Sequence, residues 1–199
     1  MKKRFAILLF CGFLSISIQA QNFGGGLILG LSTSQVSGDN LGGFNKAGLL
    51  AGGFIDLQLS NTLKIQMEMT FIQKGSNNPN MNENNYSDIN LSYVEIPFLL
   101  KYLQSSTIAI EGGIETAFLI SASDNDIYGQ ISGSSTREFN TTDISIFIGM
   151  DYSINPRLIL NSRISNSIIP IRAHASGATF QLNKGQYNSV LSFALHYIL

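Results

Sequence analysis

Six carboxylates and four cations stand where alternation would gather them on one face of extended segments: Asp56, Glu68, Glu95, Glu111, Glu115 and Asp151, with Lys64, Lys74, Lys101 and Arg163. Residues two apart on a strand share a face, so a sheet that closes on itself would bring charges from different strands together. Unpaired carboxylates confined in this way repel or take up protons, and a hydrogen-bonded network relieves both costs. Its predicted members are Glu68, Glu95, Lys101, Glu111, Glu115 and Arg163. Arg163 is the expected hub, because its five fixed donors can bridge two of the carboxylates Glu68, Glu95, Glu111 and Glu115. The alternative is that each charge faces interior water with no specific partner.

Other chemistry finds little support. His174-Ala175-Ser176 places a base and a nucleophile two apart, the spacing that shares a face on a strand, but the motif falls in a predicted loop. Asp124-Asn125-Asp126-Ile127-Tyr128-Gly129 opens like a calcium loop, yet Tyr128 and Ser135 stand at ligand positions. Gly24, Gly26 and Gly30 have the wrong spacing for a dinucleotide fingerprint and lie within a strand. His196 reads as a polar filler on an inward face. No catalytic, metal or cofactor residue is therefore expected.

The elements that must carry the charges are strands. From Leu63 the odd positions Leu63, Ile65, Met67, Met69 and Phe71 are apolar and the even ones Lys64, Gln66, Glu68 and Thr70 polar, with Ile72 the exception. Ser60-Asn61-Thr62 joins this strand to a partner with Leu49, Ile55, Leu57 and Leu59 on one face and Asp56 and Gln58 on the other. A first strand from Phe23 sets Leu27, Leu29 and Leu31 against glycines. Further along, Val94, Ile96, Phe98, Leu100 and Tyr102 alternate with Glu95, Pro97, Leu99 and Lys101, and Pro97, which lacks a ladder donor, predicts a bulge or local break. Ile108, Ile110, Ile114, Phe118 and Ile120 oppose Glu111, Glu115 and Ala117. The last three strands follow Ile144 to Tyr152, Leu158 to Ile164, and Leu191 to Leu199.

A two-faced strand suits a soluble sheet or a membrane barrel with its apolar face turned outward. The connections decide between them. Polar loops at about 38–46, 75–88, 121–140 and 170–185 alternate with short turns at 60–62, 103–106 and 153–156. Short turns on one side and long loops on the other, with an even strand number, are the parity of outer-membrane barrels. Tyr102, Tyr152 and Tyr197 fall near the short-turn ends on the apolar face, as one interfacial girdle requires. The predicted fold is an all-β, eight-stranded antiparallel up-and-down transmembrane β-barrel with short periplasmic turns and four longer extracellular loops.

Composition agrees: charged residues make up 13%, about half the share usual in soluble proteins. Net charge is -1, which argues against a nucleic-acid partner. Lys2, Lys3 and Arg4 precede an apolar run from Phe5 to Ile18 and a small Ala20, so residues 1–20 read as a signal peptide and 21–199 as the barrel. Cys11, the only cysteine, lies within that leader, which removes disulfides and thiolate chemistry from the mature chain.

The Gly-rich first strand, Phe71-Ile72-Gln73-Lys74-Gly75, Glu111-Gly112-Gly113 and above all the stretch from Tyr93 through Glu95-Ile96-Pro97-Phe98 to Tyr102 resemble the porin-like outer-membrane β-barrel domain family, the PorT-like group. The resemblance spans Gln21 to Leu199 and implies a Gram-negative outer-membrane location. One branch of that group is tied to protein secretion, and nothing in this sequence marks that branch. The expected function is a non-enzymatic envelope scaffold, or a barrel displaying loops to an envelope or extracellular protein, in contact with outer-membrane lipid. Its lumen is expected to be filled by side chains, since eight strands leave little more room. A narrow channel for small solutes is the alternative. A lipid-modifying enzyme is a further one, because outer-membrane lipid A deacylases use a similar His-x-Ser, followed by Asn where this chain has Gly177.

Overall fold

The computed structural model describes residues 23–39, 42–78, 88–126, 129–130, 138–173 and 185–199. Its strands are β1 (Phe23–Ser37), β2 (Lys46–Gln58), β3 (Leu63–Asn77), β4 (Asp88–Leu103), β5 (Ile108–Asp126), β6 (Gly129–Gln130), β7 (Thr142–Asn155), β8 (Leu158–Ser167) and β9 (Tyr187–Ile198). The two residues of β6 pair only with the end of β5. The remaining eight form a closed antiparallel ring in which each strand pairs with its neighbour in sequence, and β1 returns to β9 from Gly26↔Ile198 to Ser37↔Tyr187.

The period of two explains the closure. Met69, Ile114, Ile148 and Phe193 are among the exposed apolar side chains, and their strand neighbours Glu68, Glu115, Phe147 and Ser192 are buried. Such an inside-out distribution is stable only if the outer face meets lipid. All three short connections lie at the end that also carries Phe23 and Leu199. Each is tightened by its own polar groups: Leu59 N–H donates to Leu63 O at 2.9 Å, Ser105 Oγ accepts from Ile108 N–H at 3.0 Å, and Asn155 Oδ1 accepts from Arg157 N–H at 2.9 Å. Tyr102, Tyr152 and Tyr197 sit half-exposed on the outer face near this end.

Of the two outcomes expected at Pro97 the local break occurs and the bulge does not, and the start of one expected loop is strand instead. The ladder between β3 and β4 runs to Met67↔Phe98 and resumes at Thr70↔Glu95 with no change of register, so the missing donor of Pro97 interrupts pairing without bulging the strand. The register shift of β4 lies instead between Ser92 and Tyr93, on the β5 side. Secondly, β5 runs on to Asp126 through residues expected to be loop, because β4 keeps pairing it as far as Asp88↔Asn125.

The long-loop end is not an open polar mouth. Pairing of β1 with β2 continues to Ser34↔Lys46 while pairing of β2 with β3 stops at Leu50↔Ile72. Above that point β3 reaches β1 directly: Ser32 Oγ donates to Gln73 O at 2.7 Å, and Ser34 Oγ accepts from Gly75 N–H at 2.9 Å. Gly48 of β2 makes room for this, since a Cβ there would fall 2.2 Å from Gln73 O. Val36, Ile72, Ile89, Leu91, Tyr93, Ile171 and Val190 pack together inside the upper barrel. Thus Ile72, the exception to the alternation of β3, joins an apolar plug.

Candidate functional site: the charged lumen

Below the apolar plug the interior is built from charged and amide side chains in layers. Among the described residues, Asp56, Glu68, Glu95, Glu111, Glu115, Asp143 and Asp151 are buried carboxylates, against buried Lys74, Lys101 and Arg163 and half-buried Lys64. The carboxylates outnumber the cations, and Lys74, Lys101 and Arg163 are each shared between two of them.

Arg163 of β8 holds the middle layer. Its Nη1 and Nη2 donate to Oε2 and Oε1 of Glu68, both at 3.0 Å, and its Nε donates to Glu111 Oε1 at 2.8 Å. The guanidinium also lies 4.3 Å from the centre of the Phe147 ring. This fork satisfies donors in the fixed plane that only arginine offers. Gln66 Nε2 adds a 2.7 Å donation to Glu68 Oε1. Sheet register makes the contact with Glu111 possible: Glu111 pairs with Gly149, and Gly149 with Arg163, so one small residue separates the two charges along a row of the barrel wall.

The layer toward the short turns centres on Lys101, which lies 2.5 Å from Asp151 Oδ2 and 3.3 Å from Glu111 Oε2. Asn161 Nδ2 donates to Glu111 Oε1 and Asp151 Oδ1 at 2.9 and 2.7 Å, stitching this layer to the middle one. Nearer the mouth, Lys64 and Asp56 form a looser pair at 3.4 Å.

Glu95 and Glu115 belong to a separate layer. Both face Lys74, which pairs closely with Glu95 and lies 3.6 Å from Glu115 Oε1. Asp143 lies near them and accepts from Ser167 Oγ and Asn188 Nδ2, each at 2.9 Å. Of the carboxylates considered for Arg163 from the sequence, the fold therefore brings Glu68 and Glu111 to it and gives Glu95 and Glu115 to Lys74. Asp143 and Asn161 escaped that reading. Asp143 stands on the inward parity of its strand, and Asn161 shares the inward face with Arg163, so alternation alone contained the signal.

At the long-loop rim Arg172 joins several segments. It meets Asp124 Oδ2 at 2.7 Å, bonds Gln186 and stacks 4.2 Å from the Phe139 ring centre. His174, Ala175, Ser176 and Gly177 lie outside the described residues, as do Tyr128, Ser135 and residues 1–22. Among the described residues no group of three His, Cys, Asp or Glu side chains is placed to hold a metal ion.

Two voids in the barrel are lined by described residues. A cavity of about 20 Å³ lies between the layers of Arg163 and Lys74. A larger one of about 200 Å³ opens toward the short turns and is lined by Phe54, Asp56, Lys64, Lys101, Asp151 and His196, among others. His196 borders both.

A closed eight-stranded ring with an apolar exterior, a tyrosine girdle and a charged interior calls for comparison with membrane barrels. Residues 19–172 match the family of outer membrane protein beta-barrel domains. The chain belongs to that family, and its place is the outer membrane. Among solved structures, this outer-membrane barrel is similar to Ail, the attachment invasion locus protein of Yersinia pestis, solved with the heparin analogue sucrose octasulfate. That likeness has a TM-score of 0.53 at 12% identity and covers 89% of this chain and 99% of Ail. Neisserial surface protein A gives a TM-score of 0.53 at 12% identity, covering 88% of this chain and 96% of that one. At these identities the likeness is one of fold. No curated protein matches the sequence.

Proposed function

We propose that this barrel is a non-enzymatic component of the outer membrane whose lumen is a structural core rather than a pore, and which works through its loops as an envelope scaffold or by engaging an envelope or extracellular protein. The bidentate Arg163 to Glu68 contact carries the reading. It spans the interior between β8 and β3, and with Glu111 it leaves a void of about 20 Å³ above it, room for about one water. Membership of the PorT-like group and removal of residues 1–20 as a signal peptide belong to the same proposal. They rest on the stretch from Tyr93 to Tyr102 and on the basic and apolar pattern of the leader.

Single-channel recording on purified protein in planar bilayers tests the closed lumen, with silence expected. Open events of porin size would replace this reading by the narrow channel. That second reading has one observation in its favour, since the two cavities follow one another along the lumen with only His196 common to both linings.

A further inference from the structure

The two ends of the lumen differ. Toward the loops it is stopped by the apolar plug around Ile89, Leu91, Tyr93 and Ile171, all at most 1% exposed. Toward the short turns, which face the periplasm in this class of barrel, it widens into the cavity of about 200 Å³. The cavity is thus a vestibule open to the periplasm, with the Lys101 and Asp151 pair at its floor.

Its wall carries one incompletely used ion pair. Lys64 Nζ stands 3.4 Å from Asp56 Oδ2, beyond the roughly 2.7–2.9 Å of a charge-assisted hydrogen bond. Nearby, Nδ1 of His196 is buried without a hydrogen-bond partner, a costly state for a polar atom. Phe54, Leu103, Ile159 and Ile198 supply apolar lining. We propose that the vestibule binds a small zwitterion, specifically an α-amino acid with an apolar side chain.

Charge pairing selects this class. A simple anion on Lys64 would leave Asp56 without its cation, and a simple amine on Asp56 would leave Lys64 without its anion; each strands a charge in a confined site. A zwitterion sets its ammonium on Asp56 and its carboxylate on Lys64, so both charges stay paired and each gains a shorter bond. His196 Nδ1 can take one further hydrogen bond, and the apolar side chain lies against Phe54, Ile159 and Ile198.

Calorimetric titration of the folded, detergent-solubilised barrel with L-leucine tests this, using 4-methylpentanoate and isoamylamine as single-charge probes. Saturable leucine binding is expected, with each probe weaker by at least about tenfold. Lys64→Gln and Asp56→Asn should each weaken leucine by a similar factor. Ser153→Phe, which fills the vestibule and keeps both charges, should abolish binding, and it decides the matter alone if the charge variants fail to show the gel migration of a folded barrel. Absence of saturable leucine binding, equal binding of leucine and either probe, or binding untouched by Ser153→Phe would overturn the proposal.

Discussion

Arg163 and Glu68, 95 residues apart in sequence, close on each other across the lumen through two parallel contacts of 3.0 Å. Because Glu111 is held by the same guanidinium at 2.8 Å, Arg163→Ala strands the buried Glu68 without a cation and leaves Glu111 to Lys101 and Asn161 alone. The expected loss is about 3–5 kcal/mol, the range for breaking a buried pair. Glu68→Gln in the same chain should return part of it, and Arg163→Lys, which keeps the charge but not the fork, should fall between. Urea unfolding from lipid vesicles measures all three; an Arg163→Ala barrel within about 0.5 kcal/mol of the parent would sink the network as a stabilising unit.

The Lys74 layer should respond asymmetrically. Lys74 is the only cation in contact with both Glu95 and Glu115 among the described residues, so Lys74→Met is expected to cost about 3–5 kcal/mol. Glu115→Gln should instead be neutral or mildly stabilising, because it removes one negative charge from a layer that holds too many and gives up only a 3.6 Å contact. The same unfolding assay ranks the two, and a Glu115→Gln penalty as large as that of Lys74→Met would refute this order.

The lipid face offers a depth-resolved check. Ile148 is 59% exposed at mid-strand on β7 while Ser145 is 1% exposed on the opposite face. Ile148→Arg should cost roughly 2–4 kcal/mol, as cations do at the bilayer midplane. Ser145→Arg should instead be limited by crowding in the lumen. Spin labels at the two positions should differ sharply in accessibility to a lipid-soluble quencher, and equal accessibility contradicts the faces.

What the sequence displays is what repeats locally. Alternation in β3, β4 and β7 and the parity of long and short connections together dictate the closed ring, since both are written in consecutive residues. Partner choice across the lumen is not local. It depends on how the strands stagger around the ring, and nothing in the sequence near Arg163 distinguishes Glu68 and Glu111 from Glu95 and Glu115. The apolar plug was hidden for another reason: inward Ile72, Ile89 and Leu91 look like lapses in a polar face until β3 is seen to reach Ser32 and Ser34 of β1. The length of β5 was equally unreadable, because Ser121 to Asp126 are polar apart from Ala122 and are held as strand by pairing with β4 as far as Asn125.

Gly149 joins the wall to the network, and its substitution tests both together. A Cβ at this position would stand 2.7 Å from Glu111 Oε1 and 2.8 Å from the backbone oxygen of Ser162. The carboxylate can move, but only by loosening its bonds to Arg163 and Asn161; the backbone oxygen belongs to β8 and cannot. Gly149→Ala should therefore destabilise the barrel by about 1–3 kcal/mol, the usual cost of overpacking. Gly112→Ala is the control, because a Cβ there meets nothing nearer than Phe147 O at 3.6 Å, an ordinary contact, and its effect should stay within about 0.5 kcal/mol. If Glu111 is what resists the new methyl, Glu111→Gln should not relieve the penalty, since the amide is as bulky, whereas Glu111→Ala combined with Gly149→Ala should cost less than the two single changes added together. Strict additivity in that cycle would show that Gly149 serves the strand backbone and not the charged lumen.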